Sequence, residues 1–267
     1  MTRVAREHRN NVVIGAGEVY LDLFDAAGAK TGERYLGDAA GAVLAIATEE
    51  TTVFSGTGAV AQELERVIRQ ITREVRVTLR DISLDNLSLF VIGDMSAGAD
   101  VADEVIAVVA GRSYQLGVNA DNPAGFSRIT DVMVAGGTVN AGGVFTAAAG
   151  NAAWEAGTDY EIEAEAGRIN VLDTAKTKVA MAAMQVDYKT AARVVSKTAQ
   201  QRGAFRYVED AAAGQGRNFY APECLVRPTG DLSLLDGRNT EQQIGLTVAA
   251  LEPAGTLEAL YIDGQAA

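Results

Sequence analysis

The sequence predicts a mainly β protein with one flanking helix, an α+β arrangement, and three observations lead to this class. Short apolar runs alternate with polar residues at a period of two, which is typical of half-buried strands. Glycine is frequent, with 28 residues among 267, and proline is rare, with 4, so many turns are expected between the runs. One stretch, residues 83–92, has the apolar spacing of a helix instead. A strand that leads straight into one short helix indicates a sheet with a helix over one face.

Composition restricts the class of protein further. Apolar residues make up 48% of the chain, which is enough for a packed core and argues against disorder. The net charge of −12 argues against tight binding of nucleic acid, because phosphates are bound by Lys and Arg. The same charge suits an ordinary acidic surface, which is the commoner case, or a wall to which DNA must not adhere.

Cysteine content and the apolar segments bear on where the protein is made. The single cysteine, Cys224, excludes an internal disulfide framework and is expected to be a small buried apolar residue. Synthesis in the cytoplasm is therefore expected. No segment has the length and apolarity of a signal peptide or a membrane span, so we expect neither.

The first third of the chain predicts an arm, strands and a long loop. Residues 1–11 carry arginines without apolar periodicity and predict an N-terminal arm, which is either simply frayed or ordered against a neighbouring subunit. Alternation in residues 12–24 predicts a strand, and residues 25–32 predict a turn from their Gly and Asp content. A short strand region is expected within residues 41–48. The polar, glycine-containing residues 49–66 predict a long exposed loop, a kind of loop that is often functional.

Residues 62–81 contain the one conflict between periodicities. Apolar residues in 62–72 fit the spacing of a helix, whereas the odd-numbered positions continue the alternation of the following strand. We favour a strand over residues 67–81, because β-branched residues dominate it.

The helix that follows this strand has recognisable ends. Ser83 or Asp85 can cap its start, and Gly93 can adopt the left-handed conformation that ends it. Its apolar face includes Leu87 and Phe90, which we expect to be buried between the helix and the sheet.

The remaining sequence divides into a β core and an insert. Glycine-rich turns, together with a hairpin predicted at residues 160–171, set residues 112–176 apart as a β-rich insert or subdomain. Residues 12–111 and 177–252 form the β core, and residues 253–267 form a C-terminal tail. Core strands are predicted within residues 184–189, 205–207, 223–226 and 244–250.

No constellation of reactive residues is evident in the sequence. The single histidine, His8, lies in the arm, so a Ser-His or Cys-His nucleophile is not expected. Cys, His and acidic residues are not spaced for a zinc site. Gly15 and Gly17 lack the third glycine of a dinucleotide-binding loop. We therefore expect no catalytic, cofactor-binding or metal-binding residues, and no enzymatic activity.

Two features keep other functions open. Glu161, Glu163 and Glu165 fall on one face of a predicted strand, so a carboxylate-dependent hydrolase is one alternative. Such a row is far more often a solvated face. Trp154 offers a ligand platform for a carbohydrate- or receptor-binding module of a fibre or adhesin, although a lone Trp at the start of a strand is more often a packing anchor.

Five places in the chain, taken in order, carry a resemblance to a known family. They are residues 15–41, 78–94, 111–117, 154–172 and, as one closing region, 216–235 with 243–248. The first contains the run GERYLG, and the second contains the pattern I-x-x-x-N-L-x-L-F-x-x-G. Together they resemble the tail tube (major tail) proteins of long-tailed bacteriophages, and the resemblance covers nearly the whole chain.

The resemblance implies a fold, an assembly and a set of partners. It implies a tail-tube-like β-sandwich core with a flanking helix. Subunits would join edge to edge into rings, expected to be hexameric, whose inner sheets form a continuous barrel, and the rings would stack into the tube through which DNA leaves. The implied partners are the chain itself and other tail proteins such as the tape measure and the tail terminator. DNA would pass without specific binding, no membrane would be involved, and the location would be the virion.

Overall fold

A computed structural model of the chain describes residues 14–150, 153–174, 182–197, 200–210, 216–235 and 241–263. The chain is mainly β, as predicted, and divides into two compact units. Unit 1 lies within Met1–Met95 and Val194–Ala267, and unit 2 is Ser96–Arg193. The predicted N-terminal arm, residues 1–11, lies outside the described residues.

The elements of the described residues are seventeen strands and one helix. In chain order they are β1 (Gly17–Leu23), β2 (Arg34–Tyr35), β3 (Ala39–Phe54), β4 (Glu63–Leu79), α1 (Leu84–Phe90), β5 (Gly93–Ser96), β6 (Asp100–Ala107), β7 (Arg112–Gln115), β8 (Ile129–Val139), β9 (Phe145–Ala147), β10 (Tyr160–Glu163), β11 (Arg168–Val171), β12 (Ala182–Thr190), β13 (Arg193–Ser196), β14 (Gln201–Glu209), β15 (Asn218–Pro228), β16 (Ile244–Ala250) and β17 (Tyr261–Asp263). The strands predicted within residues 12–24 and in the four later core segments are confirmed.

Unit 1 is built on one large antiparallel sheet, and β5 and β13 form a separate two-stranded sheet. The strands of the large sheet pair in the order β2-β1-β14-β15-β16-β4-β3, and β17 pairs with β15. The alternation read in the sequence places Val75, Val77 and Leu79 of β4 in the core. Their cross-strand neighbours on β16 include Ile244 and Leu246, which are equally buried. The predicted tail at residues 253–267 is wrong in one respect, because β17 lies within it and is held by its ladder with β15.

Helix α1 packs on this core, as expected from the sequence. Ser83 is its N-cap, and the hydroxyl oxygen accepts a hydrogen bond from the amide of Asn86 at 3.3 Å. Leu89 is fully buried, whereas Leu87 and Phe90 are half-buried against the same core. Leu89 is therefore the main anchor of the helix.

The predicted helix end at Gly93 is wrong in its detail. The residue in the left-handed region is Ile92, with φ of 51°, and Gly93 is not in that region. Gly93 is needed for close approach instead, because a Cβ atom there would lie 2.6 Å from the carbonyl oxygen of Val195.

The GERYLG run and the motif that contains the helix meet at the buried side chain of Asn86. Its Nδ2 donates to the carbonyl oxygens of Leu36, at 2.7 Å, and Asp81, at 2.9 Å. Its Oδ1 accepts from Nη1 of Arg34 at 2.9 Å. Arg34 and Leu36 belong to the GERYLG run and Asn86 to the helix motif, so the two motifs form one hydrogen-bonded contact that fixes α1.

Unit 2 has two antiparallel sheets, in the orders β10-β11-β7 and β6-β12-β8-β9. They share one core that includes Leu116, Ile169, Met184 and Val186. The predicted hairpin at residues 160–171 is confirmed as β10 and β11.

The predicted bounds of the insert, residues 112–176, are wrong. Unit 2 begins before residue 112 and ends after residue 176, because β12 pairs with β6 on one side and β8 on the other. The glycine-rich turns that suggested the insert do not coincide with the strand pairing that defines the unit.

The predicted loop at residues 49–66 is also wrong. β3 continues to Phe54 and β4 begins at Glu63, so residues 55–62 alone connect them. The helical alternative for residues 62–72 is not found, and the strand predicted at residues 67–81 is Glu63–Leu79. The polarity of this region reflects a hairpin exposed on both faces, which resembles a loop in composition.

Candidate functional site

The hairpin of β3 and β4 extends beyond the rest of its sheet. Pairing of β4 with β16 ends at Glu74, which lies opposite Ala249, so residues 63–73 of β4 pair with β3 alone. At about 3.3 Å per residue, this part is roughly 35 Å long. None of the residues in 47–72 is buried.

The register shows that the core face of the sheet continues along this hairpin. Cross-strand partners lie on the same face, and Leu44 and Val75 are such a pair within the core of unit 1. The next partners on this face are Ile46 with Arg73, and then Thr48 with Ile71. The side chains of Ile46 and Ile71 therefore point in the direction of the core, but beyond its edge.

A bulge preserves this apolar face towards the tip of the hairpin. Glu49 lies opposite Gln70 and Glu50 lies opposite Ile68, so β4 has one additional residue between these pairs. Ile68 is thereby on the same face as Ile71. Phe54 is on this face too, by the alternation of β3. We call Ile46, Phe54, Ile68 and Ile71 the apolar hairpin face, and its members are between 47% and 59% exposed.

Charged residues on the hairpin are only partly paired. Arg66 forms ion pairs with Glu50, at 3.2 Å, and Glu63, at 3.0 Å. Within the part of the chain that the structure describes, no ion pair involves Arg69 or Arg73. The register places Arg73, opposite Ile46, and Glu50, opposite Ile68, on the same face as the large apolar side chains. Large apolar side chains interspersed with charged ones are found at protein-binding surfaces.

Both ends of the sheet of unit 1 have open edges. β3 is the last strand in the order, and its outer edge pairs with no other strand among the described residues. At the opposite end the edge strand is β2, which has only two residues. Residues that flank β2 also bond to β1, since the carbonyl oxygen of Val19 accepts from the amide of Leu36 at 2.9 Å and that of Leu23 accepts from the hydroxyl of Thr31 at 2.7 Å. Unpaired backbone groups along an edge are a template for a strand of another chain.

A cavity of about 440 Å³ lies within unit 1, beside both edges. Its lining includes Gly17 of β1, Leu44 of β3, and Tyr207 and Glu209 of β14. Burial, together with the charge of Glu209, raises the pKa of Tyr207. The Glu209 carboxylate accepts a hydrogen bond from the amide of Arg217 at 2.6 Å. Among the described residues that line the cavity, none is a Ser, Thr or Cys nucleophile beside a His.

The row of glutamates singled out in the sequence lies in unit 2. Glu161 and Glu163 are exposed on β10, and Glu165 is in the turn that follows. Glu165 forms an exposed ion pair with Arg128 at 3.6 Å. Because β10 ends before Glu165, the three carboxylates do not form one row along a strand, and their exposure fits the solvated-face interpretation.

Trp154 contributes to the core of unit 2. Its ring is half-buried and lies against the backbone of Gly136, where a Cβ atom would be 2.0 Å from the ring. This contact supports the packing role considered in the sequence.

Cys224 is fully buried in the core of unit 1. Burial raises the pKa of its thiol to about 12. Across the ranges that the structure describes, no group of three or more Cys, His, Asp and Glu side chains is arranged to hold a metal ion. The described residues also include no helix of the length and apolarity required to cross a membrane.

The apolar hairpin face is the surface that the sequence did not predict. After Ile46 the positions of β3 on this face are Thr48, Glu50 and Thr52, so no apolar alternation marked the face in the sequence. Comparison with known proteins gives one family: residues 12–123 match the model described as "Protein of unknown function UCP028589". No curated protein matches the chain.

Proposed function

We propose that this chain is a structural protein of a phage virion that assembles with its own copies into stacked rings, which form the tail tube. The observation that carries the proposal is the apolar hairpin face, a continuation of the core face that unit 1 itself does not cover. Isolated hairpins are marginally stable in water. A hairpin of this length with exposed Ile and Phe side chains is stabilised when a second protein surface buries them.

Ring formation is supported by the two open edges of the sheet. The outer edge of β3 in one copy can pair with the short edge strand β2 of the next, which satisfies the backbone groups of both strands. Contacts between two different edges are heterologous. Such contacts close into a ring when the rotation that relates neighbouring copies is a whole fraction of 360°. We propose rings of six, in which the sheets line a continuous barrel.

Within this proposal, unit 1 is the tail-tube-like β-sandwich core with its flanking helix. In support of this, residues of β1 and β3, which are at opposite sides of the strand order, line the same cavity. The sheet therefore curves strongly enough to bring its two edges towards each other.

The charge of the chain suits a conduit for DNA. A net charge of −12 per copy repels phosphates, so DNA passes without specific binding. The proposed partners are further copies of the chain and other tail proteins, such as the tape measure and the tail terminator. The proposed role is structural, with no catalysis, and the proposed location is the tail of the virion after synthesis in the bacterial cytoplasm.

Electron microscopy of the purified protein tests the proposal directly. We expect tubes of uniform diameter in negative stain, with a regular axial repeat that corresponds to one ring. A protein that remains monomeric at all concentrations and salt conditions, without rings or tubes, would contradict the proposal. Saturable binding on a glycan array by such a monomer would favour a receptor-binding module instead.

A shortened hairpin provides the matched comparison. Ile46 and Arg73 are cross-strand partners, so residues 47–72 can be replaced by a two-residue Asn-Gly turn. The monomer should melt as the wild type does, because none of the residues removed is buried. Tubes should be absent. Normal tubes from the shortened protein would show that the hairpin does not take part in assembly.

A further inference from the structure

We infer that the cavity of unit 1 binds a small organic amine, that is, an apolar molecule with one ammonium group, and this inference does not depend on the proposed function. The volume of about 440 Å³ is within the range of pockets that hold small ligands. Among the described residues that line the cavity, most are apolar and the one charged side chain is the carboxylate of Glu209. A ligand that matches this lining is apolar and carries one positive charge.

The cavity changes from apolar and buried at one end to charged and exposed at the other. Phe205, Tyr207 and Glu209 alternate along β14, so all three lie on the face of the sheet that carries the core. Phe205 is fully buried, whereas Tyr207 and Glu209 are half-buried and lead towards the exposed Gly15. The apolar part of a ligand therefore fits beside Phe205, and its polar group fits beside Glu209.

The carboxylate of Glu209 has an oxygen that is available to a ligand. Its Oε2 accepts a hydrogen bond from the amide of Arg217 at 2.6 Å. Its Oε1 lies beside Gly15, where a Cβ atom would be 3.1 Å away. Within the part of the chain that the structure describes, Oε1 accepts no hydrogen bond and Glu209 forms no ion pair. A half-buried carboxylate of this kind can bind an ammonium group through charge-assisted hydrogen bonds.

The hydroxyl of Tyr207 offers a second polar contact in the cavity. It lies close to Gly17, where a Cβ atom would be 2.7 Å from the hydroxyl oxygen, and it has no hydrogen-bond partner among the described residues. Burial, together with the charge of Glu209, raises the pKa of Tyr207, so the phenol stays neutral and its oxygen can accept from an ammonium group. The rings of Tyr207 and Phe219 are 6.0 Å apart, and aromatic rings attract cations.

The order of these groups favours a small molecule over a lysine side chain of another protein. A lysine that enters from solvent brings its ammonium group first to the buried end, formed by Val19, Val75 and Phe205. The ammonium group would lose its hydration there without a carboxylate beside it. A small amine can instead insert its apolar part and keep the ammonium group at Glu209, near the exposed end. An anionic ligand is disfavoured by the same carboxylate.

Isothermal titration calorimetry with three probes of similar size tests the class of ligand. The whole chain is titrated at pH 7 with phenethylamine, which is then a cation, with neutral phenethyl alcohol and with the anion hydrocinnamate. We expect saturable binding of the amine, a Kd about tenfold higher for the alcohol, and no saturable binding of the anion. Equal affinity for the amine and the alcohol, tighter binding of the anion, or no binding of the amine would overturn the inference.

Removal of the charge of Glu209 tests its role in the cavity. Glu209→Gln keeps the shape of the side chain, so the Kd of phenethylamine should rise about tenfold while that of phenethyl alcohol changes by less than about twofold. Glu18→Gln is the matched control, because Glu18 is exposed and its partner on β14 is Val208, the neighbour of Glu209. An equal effect of both substitutions would mean that only the net charge of the protein matters, and would overturn the assignment of Glu209.

A larger side chain within the cavity tests the position of the ligand without altering charge. Ala42 of β3 lines the cavity and is exposed. Ala42→Phe should abolish binding of phenethylamine and of phenethyl alcohol, with the melting temperature unchanged. Val43→Phe, on the opposite face of β3 where Val43 is 61% exposed, should bind both probes as the wild type does. Wild-type affinity in a folded Ala42→Phe protein would place the ligand elsewhere and overturn the inference.

Discussion

Ile71 and Val75 lie on the same face of β4, yet Ile71 is 47% exposed and Val75 is 8% exposed. The difference arises where the neighbouring strand stops, because β16 pairs with β4 only up to Glu74. Strand β4 therefore has two parts. Before Glu74 its apolar side chains are not covered by unit 1, and after Glu74 they belong to the core.

Substitution at Ile71 should separate assembly from folding. Ile71→Lys places a charge on the apolar hairpin face, and burying that charge against another copy would be unfavourable. We expect tubes to be lost in electron microscopy. The free energy of unfolding of the monomer should stay within about 0.5 kcal/mol of the wild type's, as is usual for surface substitutions.

Gln70→Lys is the matched control for this change. Gln70 is exposed, adjacent to Ile71 and on the opposite face, across from Glu49. The new lysine should therefore leave tube formation intact. Loss of tubes with Gln70→Lys but not with Ile71→Lys would show that the other face of the hairpin makes the contact.

Truncation of Leu89 should destabilise unit 1. Leu89 is the fully buried apolar residue of α1, and replacing such a leucine by alanine usually costs about 2–5 kcal/mol. This is a large share of the roughly 5–15 kcal/mol that stabilises a domain. Thermal and urea melting should show the loss, whereas Leu84→Ala on the exposed side of the helix should change stability by less than about 1 kcal/mol. Equal melting of both variants would mean that α1 is not anchored on the sheet.

The isosteric change Asn86→Asp should also be destabilising, although it alters a single functional group. A carboxylate cannot donate to the carbonyl oxygens of Leu36 and Asp81, which now accept from Nδ2. Each buried acceptor left without a donor costs about 1–3 kcal/mol, so we expect a loss of at least about 2 kcal/mol in urea unfolding. The reverse exchange on the same helix, Asp85→Asn, affects an exposed residue and should cost less than about 1 kcal/mol. Wild-type stability of Asn86→Asp would contradict the hydrogen-bonded contact between the two motifs.

The thiol of Cys224 should be unreactive in the folded protein. Burial raises its pKa from 9.0 to about 12, so the reactive thiolate is scarce near neutral pH and sterically protected. A chromogenic disulfide reagent at pH 8 should react with Cys224 only after unfolding, and with the exposed thiol of a Leu235→Cys variant at once. Prompt reaction of the wild type would contradict the burial.

The raised pKa of Cys224 also gives a direction for pH dependence. The unfolded chain releases the thiol proton at lower pH than the folded chain does. The contribution of the buried neutral thiol to stability is therefore complete below pH 9 and decreases as pH rises from 9 towards 12. Cys224→Ala should remove this contribution, so its free energy of unfolding should fall less steeply over that range than the wild type's.

The elements that the sequence predicted are those with one buried face. Val75, Val77 and Leu79 alternate with polar residues because one face of β4 meets the core, and α1 shows its 3.6-residue period for the same reason. Beyond Glu74 neither face of the hairpin is buried, so selection for burial left no pattern that distinguishes it from a loop. Asn86 was not identified as a buried contact, since a buried polar side chain looks like a surface one in sequence; only the motif containing it marked the place.

The extent of unit 2 was mispredicted because strand pairing between distant segments leaves little local trace. Met184 of β12 lies opposite Ile106 of β6, yet both strands were assigned to the core of unit 1. Their own alternation was correctly interpreted as strand, but alternation does not specify which strand is the neighbour.

Two deletions test the corrected bounds. In the first, Met95 is joined to Val194 through a Gly-Ser bridge, which removes unit 2 entirely. The joined segments already lie side by side in unit 1, where the amide of Lys197 donates to the carbonyl oxygen of Ile92 at 2.8 Å. We expect a monomer that melts cooperatively, because the core of unit 1 is complete without unit 2. Tubes should still form, since the hairpin and both sheet edges belong to unit 1.

In the second deletion the same bridge replaces residues 112–176, the insert expected from composition. This leaves β6 and β12 paired with each other but removes Leu116, Ile129 and Ile169 from the core they share. The apolar side of β12, including Met184, would then be exposed to water and available for non-specific association. We expect this variant to aggregate in size-exclusion chromatography, whereas the first remains monomeric under non-assembling conditions. If the second variant is the well-behaved one and the first aggregates, the strands β6 and β12 stabilise unit 1 after all, and the division at residues 96 and 193 is wrong.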